Sequence, residues 1–455
     1  MDVSSCAEMM VGRGLQWPLS LRGVVSLFFG EGGLYRFHKI ADWLRAVISP
    51  TVAAHVSLRH QPASSWDACE VGINVSGAIS AEGGVAEALR QNIRAISLAK
   101  IPHALHDIPL GCFPRRRPRP DSTPRCDTPF NFNLVHVNAN RFHQFYRAVG
   151  SEYFDHKYTI GYWVWELPRF PEQWHDRFAC VDEVWTPSRF SCEALRAVAP
   201  IPVICIPHPV EIRLNRSFRR SEFGIKEDAY VFMFIFDYYS TFARKNPIGV
   251  LEAFKQAFLP SERVQLVVKF YNADINPVDC KRLARSVGNA NVLLLNQRGS
   301  RQETLGLLSV ADAYVSLHRS EGFGLSIAEA MALGKPVIAT NYSGNTDYLN
   351  DDLGFPVSYS LRELEKTYGV YEKGNVWAEP NIDEAAHWMR YVFNHQEQAT
   401  DKGARAAISI GAKLAPSRIG CMMGDRLTAI IDAHRRQRDV NSELAHAVVP
   451  TACDA

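Results

Sequence analysis

Two carboxylates, Glu321 and Glu329, flank a glycine turn, Gly322-Phe323-Gly324, in the stretch SEGFGLSIAEAMALGKPVIATNYSGNTD from Ser320 to Asp347. Glycines let a ligand approach the backbone closely. A helix start offers unpaired N–H groups and a positive dipole end to an anion. A carboxylate on each side of such an anion can accept hydrogen bonds from hydroxyls. A ligand that joins phosphate to polyols suits this arrangement, and a sugar nucleotide is one. A plainer account fits the same residues: Ser326 and Glu329, three apart, form a capping box, and the glycines only a tight turn. Earlier in the chain, Arg244 and Lys245 precede Asn246-Pro247. Pro247 belongs in the first turn of a helix, so the two cations stand at a helix start. There they oppose the dipole and invite an anion such as a diphosphate, unless they are surface residues that happen to flank a helix.

The elements that must position these residues alternate. Ala313–Leu317 is a strand running into the turn, Ser326–Leu333 a helix closed by Gly334 with Pro336 beyond it, and Val337–Thr340 a second strand. Tyr230–Phe236 is almost wholly apolar, as a strand buried on both faces must be; Val264–Phe270 and Asn291–Leu295 follow with helices between. The first half repeats the pattern. Val71–Gly77 leads through Gly83-Gly84 into a helix to about Leu98, then come strands at Ile101–Asp107, Asn133–Val137 (leading to Asn138) and Tyr158–Trp163 (leading to Glu166). Gly83-Gly84 is not G-x-G-x-x-G, which rules against a dinucleotide site. Two successive β/α sets of similar size predict an α/β protein of two Rossmann-like, doubly wound domains facing a cleft, with the distinctive residues at strand ends. The expected divisions are an extension over 1–65, a first domain over 66–210, a second over 211–395, C-terminal helices over 396–435 that pack back on the first domain, and a disordered tail over 436–455.

The run S-E-G-F-G-L-S-I-A-E-A-M-A-L-G-K-P-V-I-A-T, with seven residues between its two glutamates and G-N-T-D downstream, resembles the donor-site signature of retaining GT-B glycosyltransferases of family 4. G-Y-W-V-W-E-L-P-R-F-P, V-D-E-V-W-T-P-S-R-F-S-C and R-K-N-P resemble a bacterial subgroup of it, working on polysaccharide or glycolipid. The resemblance implies GT-B architecture and transfer of a hexose, mannose included, from a nucleoside diphosphate sugar to a saccharide or lipid-linked acceptor, with retention at the anomeric carbon. Glu329 would bind the ribose hydroxyls, and Glu321 with the backbone of Gly322, Phe323, Gly324 and Leu325 would hold the sugar. Family members carry G-R, a few residues, then lysine. Lys245 matches that lysine, while Tyr238-Tyr239 stands where G-R is expected, so Arg244 is the stand-in. The turn at Gly83 and Gly84 would face the donor phosphates or the acceptor, unless it is a simple βα turn. Many relatives carry a histidine of the first domain against the donor sugar; here Trp165-Glu166 stands in that region. Glu166 with Asn138 is expected to hold the acceptor, and Glu166 becomes the general base if the enzyme inverts. The competing account leaves Trp163 and Trp165 as core and Glu166 paired to a basic residue. Arg298-Gly299 corresponds to a region that borders the base.

Composition narrows the rest. Fifty basic residues against 48 acidic give a net charge of +2, no footprint for nucleic acid. The ten cysteines show no C-x-x-C pair or zinc spacing and read as buried thiols in a reducing compartment. No D-x-D motif is present, so the expectation is metal-independent transfer with no cofactor. No apolar run reaches membrane-span length and no signal peptide is evident, so the cytoplasm is expected. Residues 34–48, apolar at helical spacing with interleaved basic residues, and the basic, proline-rich 113–125 are the candidates for peripheral contact with the inner face of the plasma membrane; packing on the protein's own core and a solvated loop are the alternatives. An epimerase of the same fold and a non-catalytic scaffold of a polysaccharide-assembly complex are the rival functions.

Overall fold

A computed structural model describes residues 70–108, 128–297 and 299–447. The expected extension over 1–65, the two candidate membrane segments at 34–48 and 113–125, and Arg298 lie outside the described residues.

Strands β1 (Glu70–Gly77), β2 (His103–Asp107), β3 (Phe130–Val135), β4 (Tyr158–Tyr162), β5 (Glu183–Thr186) and β6 (Val203–Cys205) form one parallel sheet in the order β2-β1-β3-β4-β5-β6. Helices α1 (Gly84–Leu98), α2 (Ala139–Val149) and α3 (Arg189–Arg196) connect them. The second sheet holds β7 (Tyr230–Asp237), β8 (Val264–Tyr271), β9 (Val292–Asn296), β10 (Ala313–Ser316), β11 (Val337–Thr340) and β12 (Phe355–Val357), in the order β12-β11-β10-β7-β8-β9. Its helices are α4 (Pro247–Ala257), α5 (Pro277–Val287), α6 (Arg301–Val310), α7 (Leu325–Ala332) and α8 (Ile382–Asn394). Both orders reverse at one point, between β1 and β3 and between β7 and β10. At such a switch point the connections leave in opposite directions and open a crevice at the carboxyl ends of the strands.

Strand β7 shows why an unbroken apolar run is needed. Successive side chains point to opposite faces. Phe232, Phe234 and Phe236 pack with Val250 and Phe254 of α4 and Met389 of α8, while Val231 and Met233 pack with Ile327 and Met331 of α7. Both faces are covered, with Ile235 only partly buried.

Two further helices close the chain, α9 (Gln396–Lys413) and α10 (Pro416–Ala447). Of the pair expected to return to the first domain, α9 stays on the second. Its Ala406 and Ile410 join the α7 core, and a Cβ on Gly403 would meet the Gly334 carbonyl at 2.2 Å. α10 does cross back: Ile419, Met423 and Leu427 complete the core between β1, β3 and α1. It also continues to Ala447, past residue 436 where a tail was expected, because residues 436–447 contain no glycine or proline to stop it. Among the described residues no helix is long and apolar enough to cross a membrane. An antiparallel hairpin outside both sheets, β13 (Tyr359–Glu363) with β14 (Val376–Pro380), projects between β12 and α8.

Candidate functional site

The switch point of the second sheet gathers the basic and acidic residues. After β7 the chain makes a one-turn helix, Phe242–Lys245, and Asn246 then takes a left-handed conformation to cap α4, its side chain accepting from Gly249 N. That reversal turns Arg244 inward, to 3% exposure. The Arg244 guanidinium donates to the Ser320 carbonyl at 2.6 Å and the Ser240 carbonyl at 3.1 Å, and lies 3.3 Å from Glu321 Oε2. The Lys245 ammonium bonds the other Glu321 oxygen. Tyr238, which stands where G-R was expected, is buried on Phe242, Phe236 and Phe270 as core.

After β10 the chain passes through Leu317, His318 and Arg319 to Glu321 and the glycine turn. Glu321 is fixed from behind. Its amide donates to Ser343 Oγ at 2.8 Å and its carbonyl accepts from Gly344 N at 2.9 Å. Ser343 holds φ at +71°, a strained value for a residue with a side chain, at the point where this bond is made. Gly344 cannot carry a Cβ, which would lie 2.4 Å from the Gly322 carbonyl. Asn345 and the buried His318 share a 3.0 Å hydrogen bond beneath the turn.

The expected capping box at Ser326 is absent. Helix α7 begins at Leu325, with Gly324 as N-cap at φ +83° and Tyr348 Oη donating to the carbonyls of Phe323 and Gly324. Ser326 Oγ accepts from Tyr314 Oη at 2.9 Å, and Glu329 is drawn aside by Arg301 at the start of α6. The left-handed glycine turns the chain without help from a serine cap, which frees both side chains. The C-terminus closes as expected: Gly334, at φ +71°, bonds the Met331 carbonyl and Lys335 that of Ala330. Phe323 points away from the crevice into core, against Tyr348 and His208.

The first domain meets this turn directly. Ser188 caps α3, accepting from Ser191 N, and donates to the Gly322 carbonyl at 2.6 Å. Arg189 pairs with Asp347. A Cβ on Gly322 would lie 2.2 Å from Val164 Cγ1, so only glycine permits the two domains this approach. Ser320 Oγ donates to the Glu166 carbonyl, and the Glu166 carboxyl stands 4.0 Å from Arg244. Asn138 Oδ1 accepts from Val164 N at 2.9 Å and braces that loop. Gly83 and Gly84 lie exposed at the start of α1 with open space around them, Gly83 at a φ of +120° that favours glycine. They do not touch the cluster, but Glu87, one turn on, lies 3.3 Å from Arg301.

The two acids of the cluster are driven apart. Burial pushes Glu321 up, but Lys245 and Arg244 more than offset it and hold the carboxyl down at about 2. Burial raises Glu166, with Glu321 adding to it and Arg244 opposing. Lys245 is lowered by burial and by Arg244, against the pull of Glu321. The result is one permanently charged carboxylate and one that takes up a proton more readily, a pairing that suits division of labour. Glu329 is likewise raised by burial, with Arg301 opposing.

Residues outside the expected set complete the place. His136, after β3, stacks on Tyr162 at 4.6 Å; Tyr162 stacks on His208 at 5.2 Å; His208 meets Phe323 edge-on at 5.0 Å. This column joins the carboxyl edge of the first sheet to the glycine turn. Burial lowers His136 to about 4, so it is neutral at pH 7, and its two ring nitrogens have no partner. A histidine directly after a buried strand was the available signal. Arg301 gave none, since it acts through Glu87 and Glu329, far away in the chain.

Comparison with known proteins follows the same division. Residues 215–407 match the family model described as Glycosyl transferases group 1. The product of open reading frame 313 of Acidianus filamentous virus 1, named for a glycosyltransferase, is 38% identical over 92 residues, 19% of this chain and 27% of that protein. The GDP-mannose:cellobiosyl-diphosphopolyprenol alpha-mannosyltransferase of Xanthomonas campestris is 29% identical over 90 residues, 20% of this chain and 24% of that one. The chain thus matches about a quarter of the length of these relatives. Anabaena HepE, solved with UDP and glucose, superposes with a TM-score of 0.57 at 13% identity, covering 79% of this chain and all of that one. Sucrose-phosphate synthase of Thermosynechococcus elongatus gives 0.57 at 15%, covering 80% and 100%. At these identities the likeness shows the fold, the two-sheet GT-B architecture.

Proposed function

We propose that the protein is a glycosyltransferase that moves a hexose from a nucleoside diphosphate sugar to a saccharide or lipid-linked acceptor. The observation that carries this reading is the meeting of Arg244, Lys245 and Glu321 beside the Gly322–Gly324 turn and the start of α7, at the switch point of the second sheet. A departing diphosphate gathers negative charge, and preorganised cations and N–H groups stabilise it best where water is excluded. In the bound state Lys245 and Arg244 turn from Glu321 to the diphosphate. Glu321 is then released to accept hydrogen bonds from the sugar hydroxyls, and Glu329, released from Arg301, accepts those of the ribose.

The charged side chains of the site pair with one another. A cavity of about 150 Å³ remains beside Arg301, lined by Glu87, Gln91, Arg94, Glu211 and Arg213 among others. The family match over 215–407 and the GDP-mannose donor in the name of the Xanthomonas relative favour a nucleotide sugar, and make mannose the first sugar to test. We further propose retention, by same-face substitution in which the donor phosphate takes the acceptor proton. Arg244, Lys245 and the α7 N-terminus supply the neutralising charge, with no metal or cofactor in the reading. His136, neutral and unpartnered, is the first-domain histidine proposed to face the sugar. Glu166 is proposed on the acceptor side.

The test is a thermal-shift panel of GDP, UDP, ADP and TDP, each with and without magnesium. A ligand at 100 times its Kd adds about 2.7 kcal/mol of stability. One base-selective, magnesium-independent shift, followed by transfer from the matching sugar nucleotide, is the expected result. No shift with any of the four defeats the reading and favours the scaffold.

A further inference from the structure

The one-turn helix Phe242–Lys245 carries both cations of the site and is too short to bond its own last carbonyls. Arg319, which follows β10, supplies the partners. Its main-chain N–H donates to the Arg244 carbonyl at 2.7 Å, and its Nη1 donates to the Ala243 carbonyl at 2.6 Å. The other edge of the guanidinium grips Glu379 of β14, with Nε 2.9 Å from one carboxylate oxygen and Nη2 2.7 Å from the other. Such a fork fixes the plane of the guanidinium as well as its distance. Ala378 N donates to the Arg319 carbonyl at 2.9 Å, and the guanidinium carbon lies 5.6 Å from the centre of the Trp377 ring. The hairpin that holds Arg319 is itself held by the first domain. Asn375 Nδ2 donates to the Arg169 carbonyl at 2.8 Å, Gln173 Nε2 donates to Glu372 at 2.7 Å, and the Tyr371 ring lies 5.5 Å from that of Trp165. Contacts thus run from the first domain, through the hairpin and Arg319, to the turn of Arg244 and Lys245.

We propose that Arg319 is a positioning residue for the diphosphate cations: locked by Glu379, it closes the 242–245 turn so that Arg244 and Lys245 face the crevice together. An anion is held best by charges fixed in place beforehand. Removing the Arg319 side chain leaves both cations in the protein but takes away the donor to the Ala243 carbonyl and the link to the hairpin. The effect on ligand binding rests on the glycosyltransferase reading; the closing of the turn does not.

The experiment compares the wild-type full chain with Arg319→Met. Calorimetry is run with GDP, UDP, ADP and TDP, each against its own monophosphate. The diphosphate that binds should be weakened about tenfold by Arg319→Met and its monophosphate by less than about twofold, because the monophosphate lacks the terminal phosphate that the two cations hold. A role in general folding alone would weaken both alike. Hydrogen exchange read by mass spectrometry needs no nucleotide: exchange of the 242–246 amides should rise about tenfold or more in Arg319→Met, with that of α4 beyond residue 250 unchanged. Glu379→Gln leaves Arg319 in place without its charged partner; it should give the same pattern in smaller measure, and it serves if Arg319→Met folds poorly. Unchanged exchange at 242–246, or diphosphate and monophosphate weakened together, overturns the proposal and leaves Arg319 as packing. If wild-type protein binds no nucleotide, the transferase reading alone fails, and the exchange measurement still decides whether Arg319 closes the turn.

Discussion

Glu321 and Glu329 have the same side chain, eight positions apart, yet differ in state because their neighbours differ. Two cations keep Glu321 ionised, whereas burial dominates at Glu329. Glu321→Gln is expected to lower turnover by about 10² or more if its role is in the transition state; near-normal turnover removes it from the mechanism. Lys245→Ala should weaken nucleoside diphosphate binding about tenfold, measured by calorimetry, while unchanged affinity takes Lys245 out of the site. The sign of the pH dependence follows from the depression of Glu321. Its folded value, about 2, lies below the ordinary 4.5, so its contribution to stability is complete above pH 4.5 and is lost as pH falls from there towards 2. Melting temperatures of wild type and Glu321→Gln should therefore converge over that window.

At the scale of elements, the glycine turns were legible but their purposes were not. Gly324 adopts the left-handed conformation that any tight strand-to-helix turn could use. Gly322 and Gly344 are different: each is required by something distant in the sequence, Val164 in one case and the Gly322 carbonyl in the other. Gly344→Ala is expected to cost about 1–3 kcal/mol in a denaturant titration, since backbone must move to admit the methyl. Gly84→Ala meets nothing within 4 Å and should change stability by less than about 0.5 kcal/mol. A loss of nucleotide binding in that otherwise benign variant would put the α1 turn at the phosphates, and unchanged binding would return it to a simple connection. The capping box failed as an expectation because α7 begins at Leu325 with Gly324 in the N-cap position, which places Ser326 inside the first turn rather than at its cap.

The whole molecule is tied together by side chains that cross between domains. Arg426 of α10 pairs with Glu183, a fully buried carboxylate of β5 that also accepts from Trp185 Nε1 at 2.7 Å. Arg426→Ala leaves that charge without a cation and should cost about 3 kcal/mol, the low end of the range for a broken buried pair because the guanidinium is partly exposed. A chemical-denaturation midpoint equal to wild type would show that Trp185 and Tyr158 satisfy Glu183 unaided. With the domains held together at Ser188–Gly322 and Arg189–Asp347, the site's cations and carboxylates have one another as partners.

The alternation of strands and helices, the two sheets and the stretch around Glu321 were all determined by sequence, because periodicity, glycine conformation and local turn chemistry act within a few residues. Arg244 and Lys245 could be nominated for the same reason. Tertiary structure alone decided that Arg301 holds Glu329, that Asn138 braces a loop, that Phe323 is core, and that a hairpin of the second domain brings Tyr371 against Trp165. Each of those depends on contact between segments dozens to more than two hundred residues apart, where spacing along the chain carries no information and burial sets both the partner and the charge.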